Sequence, residues 1–266
     1  MTVNKEVEMI RSGTATSADG TELKWELEGK GPALIMVDPI LVGRDHSPIA
    51  ELAEQLRDSF AVCRFDRRGK GESTDVGEYF PEREVDDLRA VIHDAGIGPA
   101  PIIFGFSSGG SLALLAAVEP QNVQMSSLVV VEPPVDLPRP DDVIDEINAL
   151  IDEGREVDAI LRLYRHQGMP EDVIEQMVPM AETLAGNAGT IAYDLRIIDR
   201  LDRVTLSKVG VRTLAVASES SPPPLLGFVE AVADCSGAAT RIQLEGDWHG
   251  VSNRALVKAI SEFAQS

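Results

Sequence analysis

Pro101-Ile102-Ile103-Phe104-Gly105-Phe106-Ser107-Ser108-Gly109-Gly110-Ser111-Leu112-Ala113-Leu114-Leu115-Ala116-Ala117-Val118 runs from an apolar stretch, through a serine bracketed by glycines, into an Ala/Leu-rich segment. The stretch up to Phe106 is short and apolar at nearly every position, which predicts a strand buried on both faces. Gly109 to Val118 predicts a helix. Between them, Gly105-x-Ser107-x-Gly109 leaves Ser107 on a tight, strained strand-to-helix turn with its hydroxyl exposed. Side chains two residues before and after the serine would clash with neighbouring elements, hence the glycines. The N-terminus of the helix adds a positive partial charge and free N–H groups that stabilise an anion developing there.

The same alternation extends in both directions. Apolar runs at Ala33 to Val37, Phe60 to Phe65, Pro101 to Phe106, Leu128 to Val131, Val211 to Ala217 and Thr240 to Leu244 predict parallel strands. Helices are predicted at about Ile49 to Asp58, Arg83 to Ala95, Gly109 to Val118, Leu225 to Ala233 and Ala255 to Ala264. The class is therefore α/β, a doubly wound, mostly parallel sheet. Ligands in such sheets sit beyond the carboxyl ends of the strands. Val7 to Thr16 and Thr21 to Leu27, around Ala18-Asp19-Gly20, predict an opening antiparallel hairpin. No strand is predicted between Pro133 and Val209; amphipathic stretches at Val143 to Asp152, Glu156 to His166, Pro170 to Leu184 and Ile191 to Asp199 fill it. The expected organisation is a core at 1–133, a helical lid inserted at 134–209, and the rest of the core at 210–266. Apolar residues of the lid (Met169, Met177, Met180, Leu184 and Ile191) either line an adaptable apolar pocket or form the lid's own core.

With 266 residues and 44% apolar composition, the chain can bury one large core. Met1 to Met9 contains Glu6 and Glu8 and no apolar run, so no signal peptide is expected. Leu112 to Val118 and Leu128 to Val131 are too short to span a bilayer. A soluble, cytoplasmic protein is expected. The formal charge of −20 argues against nucleic acid and anionic membranes as partners, since phosphate binding needs clustered Lys and Arg. A small, apolar molecule is the expected partner. Cys63 and Cys235 fit neither a disulfide framework nor metal-ligand spacing. No metal and no cofactor is expected, and oligomeric state is not legible.

From about Gly20 to Phe263 the chain resembles the α/β-hydrolase superfamily. The elbow around Ser107 carries the resemblance, together with Phe65-Asp66-Arg67-Arg68-Gly69-Lys70-Gly71-Glu72-Ser73, which looks like the family's turn after the fourth strand. Leu244-Glu245-Gly246-Asp247-Trp248-His249-Gly250 is similar to the segment bearing the catalytic histidine. The resemblance implies an α/β-hydrolase fold with Ser107 as nucleophile and His249 as base. His93 and His166 lie on predicted helices as surface or packing residues, whereas His46 lies in the loop after the third strand, near the expected oxyanion hole. The turn at Asp66 to Ser73 reads as fold-determining, its arginines tying loops together.

Two departures from the family pattern matter. The usual position of the triad aspartate holds Ser221, with Glu219 nearby; the family's other location, the end of the preceding strand, holds Glu132. The order Ser107, Glu132, His249 agrees with the nucleophile–acid–base order of this fold, and Glu132 is preferred over Glu219. The oxyanion hole, by position, uses the amides of Ile40 and Ser108. There the family commonly has His-Gly, and this chain has Asp38-Pro39. An ionised Asp38 would repel an oxyanion, so it either turns away onto Arg44 or neighbouring backbone, or is protonated, or acts as an acid/base group.

The leading expectation is a serine hydrolase cleaving a small ester, lactone or thioester through an acyl-enzyme. The alternative is a non-hydrolytic enzyme on the same scaffold (a lyase, cyclase or cofactor-free oxygenase acting on an aromatic or polyketide-like metabolite). A binding protein without turnover is the third class.

Overall fold

The computed structural model describes residues 10–119, 123–137 and 141–266. Strands β1 (Arg11–Thr16) and β2 (Glu22–Glu28) form the opening antiparallel hairpin. The expected start of its first strand, Val7 to Met9, lies outside the described residues. Then follow β3 (Ala33–Val37), α1 (Ala50–Leu56), β4 (Ala61–Phe65), α2 (Pro81–Asp94), β5 (Ile102–Phe106), α3 (Ser108–Val118) and β6 (Ser127–Val131). After an inserted helical segment the alternation resumes with β7 (Thr213–Ser218), α9 (Pro223–Cys235), β8 (Ala239–Leu244) and α10 (Asn253–Gln265). The sheet order is β1-β2-β4-β3-β5-β6-β7-β8, antiparallel through β2–β4 and parallel from β4 to β8.

Alternation along the strands assigns each face its helices. Ile35, Val37, Ile103, Leu128, Val130 and Ala215 pack with Leu88 and Val91 of α2, Leu112 and Leu115 of α3 and Val232 of α9. Leu34, Met36, Phe104, Val129, Val131 and Val216 pack with Leu52 and Leu56 of α1 and with Leu256 and Ile260 of α10. Burial on both faces is why these runs are apolar throughout rather than alternating.

The segment between β6 and β7 carries α4 (Asp141–Asp152), α5 (Glu156–His166), α6 (Glu171–Leu184), α7 (Ile191–Asp199) and α8 (Arg203–Leu206), with 3₁₀ turns at Ala185–Thr190. Its apolar residues mostly form their own core: Ile147, Ile160, Leu163, Ile174, Leu184, Ile191 and Leu195 cluster around Leu41 of the core loop, with Met169 and Met177 packed against them. Met180 faces solvent. Helix α7 bridges the layers, since Ile191 and Leu195 join this cluster while Ile197 joins the main core. The sequence did not anticipate α8 or the hairpin of β9 (Gly246–Asp247) and β10 (Gly250–Val251), both too short to show periodicity. No described helix is long and apolar enough to cross a membrane.

Candidate active site

The site starts from backbone that most side chains avoid. Ser107 has φ 51° and ψ −128°, and Glu132, one residue past the neighbouring strand, has φ 47°. Non-glycine residues in such conformations cost about 1–3 kcal/mol each and persist only where the surroundings enforce them. Here the register enforces them. Phe106 pairs with Val131, so the next residue of each strand emerges at the same level. The Ser107 amide donates to Val131 O (2.9 Å) and the Glu132 amide to Val216 O (3.0 Å).

The bracketing glycines are there for space. A Cβ on Gly105 would lie 2.5 Å from both Gly109 O and Gly110 Cα. One on Gly109 would lie 2.2 Å from Val37 O and 2.7 Å from Asp38 O, so α3 begins directly against the end of β3. Since all of these are backbone atoms, Gly109→Ala is expected to lower stability by about 4 kcal/mol or more, read from the urea midpoint. A shift of under about 1 kcal/mol would mean that the two segments can separate freely.

His249 arrives on the β9–β10 hairpin. Its Nε2 lies 3.3 Å from Ser107 Oγ and its Nδ1 lies 2.6 Å from Glu132 Oε2. The imidazole stacks on Phe106 (centroids 5.0 Å apart) and meets the edge of Trp248 (5.8 Å), whose own ring is exposed. Glu132 is fully buried, and its Oε1 accepts from the Ser218 amide (2.9 Å) and from the Ser221 hydroxyl. Burial works to raise its pKa, but the bonds from His249, Ser218 and Ser221 outweigh it and hold the carboxyl below the usual range. The structure thus brings Glu132, rather than the exposed Glu219, to the imidazole. Ser221, where the resemblance places an aspartate, is a donor to the Glu132 carboxylate. The sequence drew attention to that position but not to the bond; Ser218, Phe106 and Trp248 carried no signal.

Ser108 follows the serine and opens α3, and Ile40 lies two residues past Asp38, whose carbonyl abuts Gly109. Neither amide donates to a backbone carbonyl among the described residues. His46, His93 and His166 are exposed.

Asp38 is buried and bonded to Ser47, with its second oxygen unpartnered. Its expected partner Arg44 is engaged elsewhere, with Glu26 (3.1 Å), Asp66 (3.2 Å) and Glu72 (2.9 Å). Burial pushes the Asp38 pKa up to about 6, against the opposing effects of Ser47, Arg64 and Lys70. The turn after β4 ties loops together through buried charge. Arg67 forks onto Glu84 (2.7 and 2.9 Å) and reaches Asp194 of α7 (2.6 Å), while Arg68 forks onto Asp87 (2.7 Å on both arms). Among the described residues no cluster of His, Cys, Asp or Glu is arranged to hold a metal ion.

The model of the alpha/beta hydrolase family matches residues 41–254. Among solved structures the chain is similar to an alpha/beta hydrolase from Sphaerobacter thermophilus, with 33% identity, TM-score 0.85, and coverage of 95% of this chain and 100% of that one. It also shares its fold with a thermophilic esterase from Thermogutta terrifontis (20% identity, TM-score 0.74, coverage 96% and 98%). An enol-lactonase from Burkholderia xenovorans is similar to the same degree (18%, TM-score 0.75, coverage 96% and 100%). No curated protein matches the sequence. The matched span and the Sphaerobacter relative together show that the chain belongs to the α/β hydrolase family.

Proposed function

We propose that the protein is a serine hydrolase that cleaves a small ester, lactone or thioester through an acyl-enzyme on Ser107. The observation that carries this reading is the unbroken hydrogen-bonded line from Ser107 Oγ through His249 to a buried carboxylate. With Nδ1–H donated to Glu132, the Nε2 lone pair faces the serine hydroxyl and takes its proton as Oγ attacks the carbonyl carbon. The carbonyl oxygen gains negative charge, which the amides of Ile40 and Ser108 hold. The imidazolium, stabilised by ionised Glu132, then protonates the leaving oxygen or sulfur. Water repeats the sequence and frees the acid. An esterase and an enol-lactonase share this fold, which supports the ester and lactone classes by analogy of fold alone. The test is a fluorophosphonate probe, with the adduct located by peptide mass spectrometry. Labelling of Ser107 that vanishes in Ser107→Ala and His249→Ala is expected; a well-folded protein that stays unlabelled would overturn the reading.

Asp38 favours a second reading, non-hydrolytic acid/base chemistry on the same scaffold, because a carboxyl titrating near pH 6 is suited to proton transfer. The two readings differ for Asp38→Asn. Under the hydrolase reading the shape of the pH–rate profile is unchanged and the effect falls on stability. The folded pKa of about 6 lies above the ordinary 3.8, so as pH rises the unfolded chain releases its proton first. The natural protein therefore loses stability between those two values. Asp38→Asn does not, and above pH 6 it gains up to ~3 kcal/mol, at about 1.4 kcal/mol for each tenfold difference in proton affinity between the folded and unfolded chains. Urea midpoints on either side of this window check the prediction; a pH–rate limb near 6 that disappears in the variant would place the chemistry on Asp38.

A further inference from the structure

The carbonyls of the segment from Asp38 to Leu41 are gripped nearly one by one. Asp38 O accepts from Arg67 Nη1 (3.3 Å) and Pro39 O from Lys70 Nζ (3.4 Å). Leu41, in the left-handed conformation at φ 69°, gives its carbonyl to Asn187 Nδ2 of the insertion (2.8 Å). The Pro39 carbonyl and the Ile40 N–H belong to one peptide group, and in a trans peptide they point in opposite directions. No described peptide bond is cis. An ammonium on that carbonyl therefore fixes the direction of the N–H. It also draws electron density through the amide, which makes the N–H a stronger donor. Pro39 has no N–H of its own, so the segment's anion-binding capacity starts at Ile40.

The cation that does this is buried, at 1% side-chain exposure, and a buried ammonium needs a counter-charge. Asp194 supplies it: Oδ2 lies 2.9 Å from Lys70 Nζ, while Oδ1 takes Arg67 at 2.6 Å. Asp194 sits in the first turn of α7 and is itself fully buried. One carboxylate of the inserted helix thus anchors both cations that hold the loop.

We propose that Lys70, held by Asp194, is a positioning residue for the oxyanion hole: the pair fixes and polarises the Pro39–Ile40 peptide, so that helix α7 sets the strength of the Ile40 donor. This rests on the serine-hydrolase reading. A merely structural pair would dock α7 and do nothing else, and the two roles separate when the pair is removed as a neutral unit. Lys70→Met alone strips Asp194 of one partner and lowers stability and rate together. In Lys70→Met/Asp194→Asn the Arg67–Glu84 pair stays balanced, and removing a buried pair whole is often nearly neutral for stability.

The experiment measures the second-order rate of fluorophosphonate reaction at Ser107, together with the melting temperature, in the natural protein, the single variant and the double variant. The double variant is expected to regain the melting temperature lost in Lys70→Met while reacting about 10- to 100-fold more slowly than the natural protein, below the full loss of one oxyanion donor. A double variant of restored stability that reacts within about two-fold of the natural rate would overturn the inference alone. Lys70→Leu/Asp194→Leu, an apolar replacement of the pair, is read by the same criterion if the methionine version does not fold. A natural protein that does not react at Ser107 would overturn the hydrolase reading and this inference with it.

Discussion

Glu132→Gln is expected to slow both fluorophosphonate labelling of Ser107 and turnover of a nitrophenyl ester by about 10⁴-fold, with the fold intact. Glutamine keeps the shape of the side chain and its bonds to Ser218 and Ser221, but it has an N–H₂ where the carboxylate had an acceptor. That amide presents a donor to His249 Nδ1 and so selects the tautomer with its proton on Nε2, the nitrogen 3.3 Å from Ser107 Oγ. A protonated Nε2 has no lone pair for the serine proton, and the imidazolium loses its buried counter-charge. The loss should fall on kcat with KM little changed, because neither group binds the ground state. The sign of the pH effect on stability follows from the lowered pKa of Glu132. Its stabilisation is present above the ordinary carboxyl pKa and is lost as pH falls through the lower folded value, so Glu132→Gln removes one contribution to the acid limb of unfolding. The exposed Glu219 is the control, and Glu219→Gln is expected to react within about two-fold of the natural rate. Since the Ser221 hydroxyl already touches Glu132, moving the acid across is feasible, and Glu132→Ala/Ser221→Asp should recover at least about ten-fold over Glu132→Ala. A Glu132→Gln protein of near-natural rate would mean that Ser107 and His249 act without an orienting acid.

That relocation shows which parts of the site the sequence carried. Strand positions were legible because burial on both faces leaves a dense apolar signature; the predicted Ala33 to Val37 is β3 to the residue, and the other core strands differ by one or two residues at one end, or at both ends for β7. The amphipathic helices of the insertion were equally legible, with Glu156 to His166 and Ile191 to Asp199 matching α5 and α7. Ser107 was legible because tight backbone geometry demands glycines at fixed offsets. The grip on the oxyanion segment was not. Lys70 and Asp194 are 124 positions apart, and a charged residue on an amphipathic helix normally reads as a solvated face. Asp194 lies between apolar neighbours on α7 and only the tertiary structure turns it inward. Asp38 failed in a similar way: its partner Ser47 is an ordinary loop residue, while Arg44, the conspicuous cation nearby, is drawn off by three other carboxylates.

Arg67→Met is expected to lower stability by about 3–5 kcal/mol at neutral pH, among the largest effects of any single side chain here. Methionine matches much of the arginine's length but, among the described residues, leaves Glu84, at 2% exposure, with only the Tyr79 hydroxyl at 3.0 Å, and leaves Asp194 with Lys70 alone. Burial works to raise the Asp194 pKa, but Arg67 and Lys70 outweigh it and hold the carboxyl below the usual range, and Arg67→Met removes the first of the two. The consequence for pH is definite. The stabilisation from that lowered pKa is present above the ordinary carboxyl value and is lost as pH falls through the lower folded one, so the destabilisation should be greatest at neutral pH and shrink in acid. Urea midpoints at several pH values check both magnitude and direction. Arg67→Met/Glu84→Gln should recover most of the loss, since the second change removes the stranded charge. The forked pair Arg165–Glu171 has similar distances, 2.8 and 3.1 Å, but lies in solvent, and removing it should leave the midpoint unmoved. Were Arg67→Met no more harmful than Arg165→Met, water would have to reach Glu84 and Asp194. The insertion would then rest on the core loosely, without the buried charge that locks α7 to the segment beside Ser107.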